Sequence, residues 1–180
     1  MLVLVRHAHA GNKAGWAGRD AERPLSPLGR QQAGHLVTAL AGIELHTLLT
    51  CPTVRCRQTL APIAADRGLR LEDRQILAPD APIEELLTLL STASFDNLAL
   101  CTHGEVLDAL AAYAVANGLA VSAPTADTAK GAAWLIDRRS TPPPARYIAP
   151  YPANPTITTG VDVGSAVARS PSLRSGTEHS

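Results

Sequence analysis

Two histidines and two arginines lie where apolar strands of this sequence are expected to end. Arg6 and His7 directly follow an apolar run at the start of the chain, and His103 closely follows a second run. Arg55 comes shortly after a third run, at the start of a predicted helix. Because ligands of open α/β sheets bind beyond the carboxyl ends of the strands, we expect these four side chains to share one site.

These residue types are suited to phosphoryl transfer. An arginine guanidinium can hold two oxygens of a phosphoryl group at once. A neutral imidazole can attack phosphorus and form a covalent phosphohistidine, while a second, protonated imidazole stabilises the oxygens in the transition state. The helix predicted to start at Gly104 adds a positively polarised N-terminus next to His103. None of these steps requires a metal or a cofactor, so we predict neither.

Apolar runs alternate with helix signals along the chain. Ser26 followed by Pro27 is typical of a helix start, and Gly68 and Gly118 are placed to end two later helices. This alternation predicts an α/β fold with a largely parallel sheet. We predict strands over 2–5, 47–51, 69–77, 97–101 and 132–136, with 146–149 as a further candidate, and helices from 27, over 52–67, from 82 and over 104–117.

The composition changes after Arg138. Three consecutive prolines at 142–144 and a Ser-, Gly- and Thr-rich end show neither a helical nor a strand period. We therefore predict one domain over residues 1–150 and a poorly ordered tail over residues 151–180. The last ~20 residues cannot bury enough apolar surface to offset the entropy of ordering them.

Charge and cysteine content narrow the choice of partner and compartment. The 16 Lys and Arg residues balance 16 Asp and Glu residues, so no basic excess favours a nucleic acid or a membrane surface. The first apolar run is too short for a signal sequence, and no run approaches a membrane span in length. Cys51, Cys56 and Cys101 lack the spacing of zinc ligands, and we interpret them as reduced thiols of a cytoplasmic protein. The oligomeric state cannot be read from the sequence.

Four short motifs follow one another in a characteristic order. They are Arg6-His7-Ala8, Pro24-Leu25-Ser26-Pro27-Leu28-Gly29-Arg30-Gln31-Gln32-Ala33, Cys51-Pro52-Thr53-Val54-Arg55-Cys56-Arg57-Gln58-Thr59 and Thr102-His103-Gly104. Together they resemble the histidine phosphatase superfamily, which has the phosphoglycerate-mutase-like fold, and within it the short, SixA-like branch. Arg6-His7-Ala8 and the segment 130–134 are also similar to the phosphatase domain at the C-terminus of some mycobacterial MutT-type proteins.

The resemblance implies a role for each residue of the predicted site. His7 is the nucleophile, and Arg6, Arg55 and His103 bind and polarise the phosphoryl group. It also implies a three-layer α/β/α fold, whose mixed, mostly parallel sheet contains one antiparallel strand. The expected activity is that of a phosphatase, with a phosphorylated small molecule or a phosphohistidine protein as its partner.

One residue of the larger family members is missing from this sequence. Those proteins carry a glutamate that protonates the leaving group, and the resemblance places Pro79 at that position in this sequence, with Asp80 beside it. SixA-like proteins lack that acid as well. Either Asp80 supplies the proton, or the substrate has a good leaving group, as phosphohistidines, phosphoanhydrides and acidic phenols have.

Further residues are candidates for binding the rest of the substrate. These are Asn12, Arg19, Gly104 and Lys130. Two other activities stay open at this stage: a phosphotransferase of the phosphoglycerate-mutase type, and a protein of the same fold that binds a phosphorylated ligand without turnover. For His9, His35 and His46 a structural role is expected.

Overall fold

Six strands and four α-helices alternate in the computed structural model, which describes residues 1–91, 96–117, 128–139 and 143–154. The strands are β1 (Leu2–Arg6), β2 (Thr47–Thr50), β3 (Leu71–Asp73), β4 (Leu98–Thr102), β5 (Ala133–Ile136) and β6 (Ala145–Ile148). The helices are α1 (Pro27–Ala39), α2 (Val54–Arg67), α3 (Ile83–Ser91) and α4 (Gly104–Ala116). Short 3₁₀ helices cover Lys13–Gly15, Asp20–Glu22 and Gln75–Leu77.

The strands form one mixed sheet in the order β3-β2-β4-β1-β5-β6. Strands β1 to β4 pair in parallel, and β5 pairs antiparallel with both β1 and β6. Strand β5 is thus the one antiparallel strand of this sheet, as expected from the sequence. The parallel pairing places the carboxyl ends of β1, β2 and β4 side by side at one edge.

Helices cover both faces of the sheet and complete the predicted three-layer α/β/α fold. The connections through α1 and α2 run towards β3 at one end of the sheet, and the connection through α3 runs back. Because β-α-β crossovers are right-handed, the two directions place their helices on opposite faces. Helices α1 and α2 pack against each other, as do α3 and α4. Strands β1 and β4, at the centre of the sheet, are apolar and almost wholly buried, as the continuous runs in the sequence predict.

Local signals fix the ends of the first two helices. The side chain of Ser26 accepts a hydrogen bond from the Gly29 backbone N–H, and Pro27 is the first helical residue of α1. Gly68 ends α2 with φ +62, in the left-handed region that a glycine adopts without strain. None of the helices in the described ranges is long and apolar enough to cross a bilayer.

Several predicted boundaries need correction. Strand β3 covers only Leu71–Asp73, because the chain turns into a 3₁₀ helix at Gln75–Leu77, so the strand predicted over 69–77 was too long. Helix α2 begins at Val54 rather than at residue 52, because Thr53 has the extended backbone of an N-cap. The candidate strand near 146–149 is present as β6.

Two predictions concern the end of helix α4 and the C-terminal end of the chain. Helix α4 ends at Ala116 with Asn117 as its C-cap, and Gly118, the predicted cap, lies outside the described residues. Residues 155–180, where the tail was predicted to lack order, also lie outside them. The domain boundary at residue 150 stays a prediction. Beyond it, Gln32 Nε2 donates to the Pro152 carbonyl at 2.8 Å, which holds this stretch against α1.

Candidate active site

Neighbouring strand ends bring the two predicted catalytic histidines together. Strands β1 and β4 run side by side, and the His7 backbone N–H donates to the Thr102 carbonyl at 2.9 Å. The imidazole rings of His7 and His103 consequently lie 5.0 Å apart between centroids, edge to face at 67°. Both side chains are buried, so the two imidazoles lie below the protein surface at this edge of the sheet.

His7 is held in a form that can act as a nucleophile. Its Nδ1 lies 2.9 Å from the Ala8 carbonyl, which can only accept a hydrogen bond, so Nδ1 carries the proton and Nε2 keeps its lone pair. Burial lowers the pKa of His7 to about 3, and the charges of His103, Arg55 and Arg6 act in the same direction. The imidazole is therefore neutral throughout the physiological pH range.

His103 faces a cation with one nitrogen and thiols with the other. Arg55 Nη2 lies 3.4 Å from Nδ1, and because a guanidinium only donates, Nδ1 accepts and the ring proton resides on Nε2. Nε2 lies 3.3 Å from Cys51 Sγ and 3.6 Å from Cys56 Sγ. The hydroxyl of Thr53 lies 3.4 Å away as a further partner.

Arg55 extends from the first turn of α2 and is paired with an acid that the sequence analysis did not single out. Its Nη1 donates to the Asp20 carbonyl oxygen at 2.5 Å, and its Nη2 donates to Asp20 Oδ2 at 3.0 Å. The other carboxylate oxygen of Asp20 accepts from Arg23 Nε at 2.9 Å. Despite partial burial, Arg23 and Arg55 lower the pKa of Asp20. Asp20 therefore stays ionised next to Arg55.

Arg6 is fitted closely against the first turn of α4. Its Nη1 donates to the Thr128 carbonyl at 2.5 Å, and its buried Nε has no acceptor among the residues that the structure describes. A Cβ atom on Gly104 would lie 2.8 Å from Arg6 Cζ and 2.8 Å from Nη2, closer than any normal contact. Gly104, a predicted site residue, thus makes room for the guanidinium.

Two more cations contribute to a positive field in a chain without net charge. Lys130 is half-buried, and burial together with the charges of Arg6, Arg23 and Arg55 lowers its pKa. Arg23 is buried, and its Nη1 donates to the Ala10 carbonyl at 2.6 Å. Arg23 was missed in the sequence because it belongs to a loop without a periodic pattern.

The remaining residues of the motifs hold the loop that carries His7. The Ala8 N–H donates to Thr59 Oγ1 at 2.9 Å, and the Thr59 hydroxyl donates to the Arg55 carbonyl at 2.7 Å. The His9 N–H donates to Gln32 Oε1 at 3.0 Å. These side chains therefore tie the loop after β1 to α1 and α2, which fixes His7 relative to Arg55.

The other predicted binding residues are spread more widely. Asp80 is exposed and lines a cleft of about 320 Å³ that Asp20, Cys51 and Arg55 also line. Asn12 is exposed and caps a 3₁₀ helix by accepting from the Ala14 N–H at 3.0 Å. The structure therefore brings Asp80 to the site's border and does not bring Asn12 there.

The exposed loop side chains and the other histidines make local contacts. Arg19 is exposed and forms an ion pair with Glu22. His9 Nδ1 lies 2.7 Å from the Ser26 hydroxyl, which matches the structural role expected for it. His35 packs against the ring of Tyr151, and His46 is exposed beside Glu44.

All three cysteines are buried free thiols close to His103 or to one another. A side-chain hydrogen bond with Cys56 and burial raise the pKa of Cys51 to about 12. Burial also raises the pKa of Cys56, which is in hydrogen-bond contact with Cys101. The sequence spacing gave no indication of this cluster, because the residue that completes it, His103, comes from another strand.

Comparison with known sequences relates the chain to one family. A sequence model of the histidine phosphatase superfamily (branch 1) matches residues 2–78. An 8-oxo-(d)GTP phosphatase of Mycolicibacterium smegmatis is 29% identical over 142 residues, which make up 75% of this chain and 43% of that protein. The chain thus spans less than half the length of this curated relative.

Solved structures share the fold at lower sequence identity. A SixA protein from Agrobacterium tumefaciens is 22% identical with a TM-score of 0.64, covering 83% of this chain and 97% of that one. The protein histidine phosphatase SixA complexed with tungstate is 20% identical with a TM-score of 0.60, covering 82% and 93%. The matched segment 2–78 contains His7 and Arg55, so the chain is similar to the histidine phosphatase superfamily over that segment, and its sheet and helices follow the fold of these solved structures.

Proposed function

We propose that the protein is a metal-independent phosphatase that forms a phosphohistidine on His7. The observation that carries this proposal is a neutral imidazole, with its Nε2 lone pair free, placed among Arg6, Arg55 and His103. A neutral nucleophile surrounded by cations is what attack on an anionic phosphoryl group needs, because the cations offset the charge that would repel the nucleophile.

The reaction has two steps in which all atoms are accounted for. His7 Nε2 forms a bond to phosphorus while the bond from phosphorus to the leaving-group oxygen or nitrogen breaks. Arg6 and Arg55 hold the phosphoryl oxygens, and His103 donates a ring N–H to them. Water then attacks phosphorus, the bond to Nε2 breaks, and inorganic phosphate leaves with His7 restored.

The leaving group determines which substrates react. Asp80 lines the cleft, and we propose that it supplies a proton where the leaving group needs one. Since Asp80 is exposed rather than fixed by hydrogen bonds in the described structure, we expect a preference for labile phosphates over alkyl phosphates. Lys130 is the candidate for gripping the rest of the substrate, and Asn12 and Arg19 remain candidates on the adjacent loop.

Two substrate classes fit this preference. The fold shared with SixA favours a phosphohistidine protein. The relative named 8-oxo-(d)GTP phosphatase is the more similar in sequence and favours a nucleotide, whose phosphoanhydride is also a good leaving group. We also infer a reducing compartment such as the cytoplasm, because the cysteines are free thiols although Cys51 and Cys56 lie close together.

A substrate panel measured in the presence of a chelator tests the proposal. We expect turnover of an aryl phosphate, a phosphohistidine peptide or a nucleoside diphosphate, and much slower turnover of glycerol phosphate. His7→Ala should abolish this activity, while the matched variant His46→Ala, at an exposed histidine, should keep it. No release from any of these substrates would favour a binding protein, and phosphate transfer to an added alcohol instead of water would favour a phosphotransferase.

A further inference from the structure

The thiols behind His103 form a cluster that phosphoryl transfer does not use. Cys51 Sγ, Cys56 Sγ and a ring nitrogen of His103 all lie within 4.8 Å of one another. The three side chains are buried and come from two places in the fold: the turn between β2 and α2 with the first turn of α2, and the carboxyl end of β4. Three soft ligand atoms of this kind are what a thiophilic cation requires.

We propose that Cys51, Cys56 and His103 Nε2 form a binding site for a thiophilic divalent cation such as Zn²⁺, and that its occupation switches the phosphatase off. The switching half of this inference rests on the proposed function, whereas the binding half does not.

The distances match a tetrahedral site. With zinc–sulfur bonds of about 2.3 Å and a zinc–nitrogen bond of about 2.0 Å, tetrahedral angles place sulfur and nitrogen roughly 3.5 Å apart. In the protein, His103 Nε2 lies 3.3 Å from Cys51 Sγ and 3.6 Å from Cys56 Sγ. Both sulfur–nitrogen contacts therefore already have the spacing of a tetrahedral zinc site, and the fourth position is left for water.

The position of the cluster beside the cleft and the charge of its two thiolates also favour a divalent cation. Cys51 is buried but is among the residues that line the cleft shared by Arg55 and Asp80, so the cluster adjoins that cleft. Binding releases one proton from each thiol, and two thiolates neutralise the two positive charges of the ion. The nearby Arg55 guanidinium therefore meets no net added charge.

Occupation of the site changes the imidazole on which catalysis depends. A cation on Nε2 displaces the ring proton from Nε2 to Nδ1. In the structure, Nδ1 accepts a hydrogen bond from Arg55 Nη2 at 3.4 Å. Two donors then face each other, so Arg55 has to move. The Nε2–H of His103 is also lost as a hydrogen-bond donor. Both effects lower activity.

Co²⁺ titration of the reduced full-length protein tests the binding half. We expect one equivalent of Co²⁺ to produce sulfur-to-cobalt charge-transfer absorption, and Zn²⁺ to displace it. Cys56→Ala and Cys51→Ala should weaken binding by more than the roughly 10–100-fold that loss of an outer-shell partner costs. Cys101→Ala is the matched control, since Cys101 is a third buried thiol outside the triad that contacts Cys56, and its loss should cost no more than the roughly 10–100-fold of an outer-shell partner.

Absence of charge-transfer absorption in protein whose three thiols are titratable would overturn the proposal, as would loss of binding in Cys101→Ala but not in Cys56→Ala.

Aryl phosphatase activity measured alongside tests the switching half. It should fall as one equivalent of Zn²⁺ binds and return with a chelator, and Cys56→Ala should need more than tenfold as much Zn²⁺ for the same loss. Binding without inhibition would refute the switch, while a protein inactive even with chelator would refute the proposed function and leave the cation site standing.

Discussion

Replacing Gly104 with alanine should separate catalysis from stability. The added Cβ would lie 2.8 Å from the Cζ and Nη2 atoms of Arg6. To reach an ordinary contact of about 3.5 Å, the guanidinium must retreat by about 0.7 Å. The backbone itself accepts alanine, because Gly104 is the first residue of α4 and is not among the glycines with positive φ.

The displacement of the Arg6 guanidinium should lower kcat/KM strongly and change the free energy of unfolding only a little. A hydrogen bond to a charged group contributes about 1.5–3 kcal/mol, and a misplacement near 1 Å can cost roughly a hundredfold in rate. We therefore expect kcat/KM for an aryl phosphate to fall about 10- to 100-fold. The free energy of unfolding should change by less than about 1 kcal/mol, because the clash is with the end of a flexible side chain.

Gly34→Ala is the matched control for this substitution. Gly34 lies on α1, and nothing would lie within 4 Å of its added Cβ. This variant should gain roughly 0.5–1 kcal/mol in urea unfolding and keep its activity. If Gly104→Ala retained kcat/KM within about twofold of the native value, Arg6 would not be held in place by this contact and its assigned role would be in doubt.

Three further predictions concern the surroundings of the site. Asp20→Asn removes the carboxylate from Arg55, so the inhibition constant of inorganic phosphate should fall about two- to fivefold, as expected for a partly exposed ion pair, and a rise would contradict this. Thr59→Val leaves the buried Ala8 N–H without its acceptor and should cost about 1–3 kcal/mol in urea unfolding, whereas Thr88→Val, at an exposed threonine, should cost less. Because the folded pKa of His7, about 3, is below its unfolded value, the unfolded state binds more protons, and the resulting stability is present above pH 6.5 and lost as the pH falls towards 3. Between pH 7 and pH 5 the native protein should therefore lose about 2 kcal/mol more than His7→Asn, and equal losses would show that the pKa of His7 is not depressed.

Residues whose placement depends on strand ends could be predicted from the sequence. The apolar runs before Arg6 and His103 identify buried strands, and parallel strands bring their carboxyl ends to the same edge. Ser26 and Pro27 marked the start of α1 through a cap that involves only neighbouring residues. Signals of this kind are local, so they remain readable without the fold.

Contacts made by irregular segments could not be predicted. Asp20 pairs with Arg55 across 35 positions of sequence, through a loop that has no hydrophobic period. The cysteine cluster likewise joins α2 to the end of β4, and only the register between β2 and β4 brings Cys51 and His103 together. Strand β3 was overestimated because its apolar residues continue into a 3₁₀ helix, whose period a short run does not reveal.

Rapid-quench trapping of the covalent intermediate tests the central claim most directly. The protein is mixed with an aryl phosphate, quenched under alkaline conditions that preserve phosphohistidine, and the modified residue is located by mass spectrometry. The account predicts a phosphoryl group on His7 that forms and decays at rates compatible with turnover and is absent from His7→Ala. Turnover with phosphate on another residue, or with no phosphorylated protein at any time, would contradict it.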